Sequence, residues 1–160
     1  MKMPQCNPRR AALAVEAAIV WPALLFLLLT FIVGGTGVFR YEQVACQARE
    51  AARWACVRGS DYQLDTNQPS PTQQQIVYQN VVPMAVGMDL SQLSVQIQWI
   101  NQGTGVIQDW DSASKAVKSL NSTGVYVSDS VRVTVSYTWS PGMLVGPMVL
   151  QSVCEMPMSH

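Results

Sequence analysis

The side chains in this chain with chemical potential are one carboxylate inside an apolar run, four cysteines, two closely spaced aspartates and a single histidine. Glu16 lies four to five residues inside the apolar stretch, where an ionised carboxylate is costly and by default marks a function. The plainer reading keeps Glu16 near enough to the preceding polar segment to stay hydrated, or to pair with Arg9 or Arg10. Asp109 and Asp111 flank Trp110 with no third acidic ligand nearby, so they read as a solvated loop rather than a calcium or paired-acid site. The only histidine is His160, which excludes His-based metal and catalytic triad sites. No glycine-rich loop leads into a Lys followed by Ser or Thr, the pattern that cradles phosphate. These absences predict a non-enzymatic protein with no catalytic residues, no metal and no cofactor.

The cysteines read differently. Cys46 and Cys56 are ten residues apart on one expected helix, about 15 Å along its axis, too far to bridge each other. Cys154, on an expected last strand, could reach either of them in an oxidising compartment. Cys56–Cys154 and Cys46–Cys154 both stay open, beside a third reading in which the thiols are unbridged small apolar side chains.

The elements that must position these residues begin with a membrane span. Apolar residues are 49% of the chain and charged residues 12%, but no charged residue occurs between Ala17 and Phe39. As a helix that stretch reaches about 34 Å at roughly 1.5 Å per residue, enough to cross a hydrocarbon core of about 30 Å. Lys2, Arg9 and Arg10 precede it, so the positive-inside rule places the N-terminus in the cytoplasm and the rest in the periplasm or outside the cell. From Arg40 onward there are seven basic and nine acidic side chains, a balance that gives nucleic acid no basic stripe to bind. A cleaved signal peptide, ending near Gly34-Gly-Thr-Gly37, is the alternative; its apolar core is about 7–15 residues, shorter than this run.

Helical periodicity is expected to start near Ala12 and to continue into water as an amphipathic extension, residues 40–58. There Tyr41, Val44, Ala45, Ala48, Ala52 and Ala55 recur every three or four positions. Gly59 reads as its stop. Residues 60–70 read as a loop, and Ser70-Pro71-Thr72-Gln73 as a capping box that opens a helix to about Val86. Leu93 to Ile100 alternates as a half-buried strand, as does Val131 to Trp139, with residues 101–124 polar and turn-rich between them. Val149 to Glu155 supplies a last strand. The predicted fold class is α+β: a long N-terminal transmembrane-plus-amphipathic helix packed against a small antiparallel sheet.

The segment Arg9-Arg10-Ala11-Ala12-Leu13-Ala14-Val15-Glu16, running into Trp21-Pro22, resembles the processing region of TadE-like minor pilins of tight-adherence (Flp) pilus systems. Ala51-Ala52-Arg53-Trp54-Ala55 is similar to an Ala-rich, Arg-containing segment of that family just past the membrane. Val135-Ser-Tyr-Thr-Trp-Ser-Pro141, with Leu150-Gln-Ser-Val-Cys154, is similar to its closing strands. The resemblance implies a pilin-like fold, a leader over residues 1–11 and cleavage by a prepilin peptidase between Ala11 and Ala12. Glu16 would then be the fifth residue of the mature protein. Ala11 stands where the family usually has Gly, and Ala17 where it usually has Phe. The implied function is a minor pilin or pseudopilin of the bacterial inner membrane, with other pilin-like subunits and the pilus assembly platform as partners. The alternatives are a membrane-anchored envelope protein that binds a partner through its outer domain, and a secreted binding module.

Overall fold

The computed structural model of the chain describes residues 8–142 and 146–159. Lys2, His160 and the fourth cysteine, Cys6, therefore lie outside the described residues. The chain divides into two compact units, an inner one up to Val38 and an outer one from Phe39 onward.

Helix α1 spans Pro8–Cys56, beginning one turn before the expected Ala12 and stopping before Gly59. Pro22 lies inside it, so the Ala18 carbonyl there lacks the usual N–H donor. In the inner unit two hydroxyls turn back onto their own helix, Thr30 Oγ1 to the Phe26 carbonyl and Thr36 Oγ1 to the Val33 carbonyl, both at 2.8 Å. That is the usual way for a polar side chain to satisfy itself where no water is at hand.

In the outer unit the helix lays a stripe of small residues on the sheet. Val44, Ala48, Ala51, Ala52 and Ala55 are fully buried, at the three- and four-residue spacing of one helical face. Tyr41 and Ala45, expected on that face, are exposed and half-buried, and Gln47 and Ala51 take their places. Alanines let the helix backbone come close to the strands, where Ile97, Val131, Val133 and Val135 complete the core.

The sheet has four antiparallel strands in the order β2-β1-β5-β6: β1 Leu93–Ile100, β2 Ile107–Asp109, β5 Ser130–Trp139 and β6 Met148–Pro157. A separate hairpin pairs β3, Lys118–Leu120, with β4, Tyr126–Ser128. Strands β1 and β5 fall where the alternation predicts, and their pairing sets Ile97 opposite Val133 and Trp99 opposite Val131. The result is an α+β fold, a long N-terminal apolar helix packed against a small antiparallel sheet.

Three local expectations are corrected. Residues 60–70 are not all loop, since Ser60–Thr66 forms α2. It buries no side chain, so no apolar period announces it. The capping box exists two residues later than expected: Thr72 accepts from the Gln75 amide and Gln75 reaches back to the Thr72 amide. Ser70 instead donates to the Gly59 carbonyl at 2.8 Å. The helix it opens, α3, covers only Gln73–Ile76 before widening into a π turn at Val77–Val81 and tightening into a 3-10 turn at Val82–Met84. Pro83 cannot donate within that last turn, which ends regular helix there. The polar stretch 101–124 also contains β2, β3 and the fully buried Trp110, whose Nε1 donates to the Pro71 carbonyl at 2.8 Å.

Candidate functional site

Among the described residues the inner unit is a single helix whose apolar side chains are largely exposed. Trp21 is 64% exposed, Phe26 66% and Phe31 73%, and its most apolar stretch is wholly unburied. It is the one helix among the described residues long and apolar enough to cross a membrane. At about 25 cal/mol per Å² such a surface is strongly disfavoured in water, which is compatible with a transmembrane helix.

Glu16 is the lone charge on this surface between Ala12 and Phe39. Its side chain is exposed in a shallow groove beside Leu13, Ala17, Val20 and Trp21. Among the described residues none forms an ion pair with it. The Ala11–Ala12 bond lies in the opening turns of α1. That end has no acidic residue in its first turn to complement the positive end of the helix dipole. The chemistry available here is ionic: an unpaired carboxylate on an apolar helix, able to take a cation of matching depth.

The cysteines lie in the outer unit. Cys46, Cys56 and Cys154 are free thiols. Cys56 is buried at the end of α1, its Sγ donating to the Arg53 carbonyl at 3.1 Å. Cys154, on β6 opposite Val133, packs against the same core. Burial raises the pKa of both thiols, and negative charge on Cys154 would raise that of Cys56 further. Cys46 is on the exposed side of α1. The fold thus brings Cys56 and Cys154 into one neighbourhood.

The densest polar network was not foreseen. Asp129 is fully buried, and its Oδ1 accepts from the Gln102 amide at 2.8 Å and from Ser119 Oγ at 2.6 Å. Ser130 beside it donates to Glu155 Oε1 at 2.7 Å, and Arg132 donates twice to Oε2, at 3.1 and 2.9 Å. The Ser130 hydrogen bond is the main cause that holds the Glu155 carboxyl below its ordinary range, with Arg132 adding to it. No group of three or more His, Cys, Asp or Glu among the described residues could hold a metal. Asp109 closes β2, and Asp111 accepts from the Gln73 amide at 2.8 Å. The network's effect is structural: it ties the 101–103 turn, the small hairpin and the last two long strands together.

A shallow cleft of about 370 Å³ is lined by Trp54, Arg58, Tyr62, Pro69 and Gln75 among others. Arg58 stacks on Trp54 at 3.9 Å and donates to the Trp54 carbonyl at 3.3 Å, so its cation is already engaged. No protein-family model matches this chain, and neither does any characterised protein or solved structure.

Proposed function

We propose that this chain is a structural subunit of a pilus or related secretion filament, a minor pilin or pseudopilin of the TadE-like kind. It would be held in a bacterial inner membrane by α1, with its N-terminus in the cytoplasm and its α+β unit outside. The observation that carries the reading is Glu16, a single exposed carboxylate on an otherwise apolar and uncovered helix, five positions into the expected mature chain. A prepilin peptidase would hydrolyse the Ala11–Ala12 peptide bond, releasing residues 1–11 and leaving a protonated amine on Ala12. Amine and carboxylate at this depth are both costly alone. In a bundle of subunits, Glu16 of one copy would pair with the Ala12 amine of its neighbour, and the pair would fix axial register as well as attraction. The uncovered apolar surface fits the same picture, since neighbouring helices would replace lipid over it.

The test is Glu16→Ala in the native host. The variant is expected to insert in the membrane at normal levels and to be missing from sheared filaments or assembly complexes. Incorporation equal to the parent would sink the reading. In the oxidising outer compartment, Cys56 and Cys154 are the pair we assign to a bridge, because they share one core. Non-reducing peptide mapping of the recovered protein should join those two peptides, and a bridge containing Cys46 would contradict it.

A further inference from the structure

We propose that the Val86–Leu90 segment is a membrane-contact element that seats the outer unit in the lipid headgroup layer. The inference rests on the membrane-anchored reading of α1 given above. It starts from Arg40, the first charged residue after the apolar run. A guanidinium in that position settles at headgroup depth, its stem along the hydrocarbon boundary and its head among phosphates and water. Phe39 and Tyr41, on either side of it in sequence, are 60% and 47% exposed, and aromatic rings favour this same layer.

Arg40 is not free to point anywhere. Its Nη1 donates to the Val86 carbonyl at 3.0 Å and to Gln43 Oε1 at 2.8 Å, and its Nη2 donates to the Gly87 carbonyl at 2.5 Å. Gln43 Nε2 adds a second donor to the Val86 carbonyl at 3.3 Å. The headgroup layer is roughly 5–7 Å thick on each face, so a backbone held by hydrogen bonds to Arg40 lies in that layer too. Gly87 makes the fit possible: its φ is +68°, and an added Cβ would meet Arg40 Nη2 at 3.3 Å.

The side chains this clamp carries suit lipid. Val86 is 73% and Leu90 50% exposed, Leu90 at the mouth of a shallow cleft it lines with Val82 and Leu93. The only charge in the segment is Asp89, which accepts from the amide and hydroxyl of Ser91 and is thereby kept ionised. An ionised carboxylate holds the segment at headgroup depth rather than letting it enter hydrocarbon. The partner is therefore the lipid surface itself.

The experiment uses the isotopically labelled full chain in phosphatidylcholine nanodiscs, with amide signals read by NMR. One lipid carries a nitroxide at the headgroup, and in a second sample it lies near the acyl-chain end. The proposal expects the headgroup nitroxide to bleach most of the Val86 and Leu90 amide intensity while leaving Tyr126, in the small hairpin, intact. The acyl-chain nitroxide should bleach Leu25. If Leu25 is bleached but Val86 and Leu90 behave as Tyr126 does, the contact is wrong and the membrane anchor stands. If Leu25 is untouched, the anchor fails and the contact falls with it. Arg40→Gln should keep the Leu25 effect and lose the one at Val86; an unchanged Val86 effect would show that Arg40 does not seat the segment.

Discussion

Glu155 and Ser130 show how much a single hydrogen bond decides in this protein. Because the folded-state pKa of Glu155 is lowered, its contribution to stability is present above the ordinary carboxylate range. It is lost as pH falls through the lowered value. Ser130→Ala removes the main lowering cause, so the Glu155 pKa should rise toward an ordinary carboxylate, measured by carboxyl NMR titration; an unmoved titration would contradict the assignment. Arg132 keeps its two bonds in that variant, so the ion pair persists. Buried Gln47 is a second case, with Nε2 against the Met88 sulfur and Oε1 unpartnered among the described residues. Replacing it with Leu should be neutral or stabilising by about 1 kcal/mol, read from chemical denaturation. Glu16 was legible in the sequence because a lone charge in an apolar run needs no fold to be noticed. Asp129 was not, because its partners Gln102 and Ser119 lie at distant positions that only the folded turn and hairpin bring together.

At the scale of elements, alternation was the clear signal. Strands β1 and β5 alternate more and less buried residues over most of their length, so their sequence carries the period of the structure. The long helix was legible for the same reason, through its apolar run and then its alanine stripe. What escaped were elements without a periodic face: α2, which buries nothing, and β2, β3 and β4, each three residues long. The capping box was readable as a motif but not in its register, since Ser70 and Thr72 are both competent caps and only the backbone chooses. Gly103 belongs at this scale. A Cβ there would collide with the Leu120 carbonyl and crowd Ser119 Oγ, so the turn and β3 pack together only through a bare backbone. Gly103→Ala should cost about 2 kcal/mol, lowering Tm by roughly 4–8 °C. Gly146→Ala, with nothing within 4 Å of its added Cβ, should leave Tm unchanged. Equal melting of the two variants would contradict this packing.

For the whole molecule, the contrast between the two units is the main fact. The outer unit has its own apolar core, cross-strand pairs and a tied polar network, with Gln47 Oε1 and Asp129 Oδ2 the buried oxygens left unpartnered among the described residues. Among the described residues, the inner unit leaves its apolar side chains largely exposed and Glu16 without an ion-pair partner. On the proposed reading, lipid and then neighbouring helices would cover that surface in turn. The two alternatives, an anchored envelope protein and a secreted module, share the outer unit and differ only in what becomes of the N-terminus. The most direct measurement is therefore the N-terminus of the protein recovered from its native membranes, by intact mass and terminal peptide sequencing. The filament-subunit account predicts a start at Ala12. A start at Met1 or beyond Gly34 would contradict it.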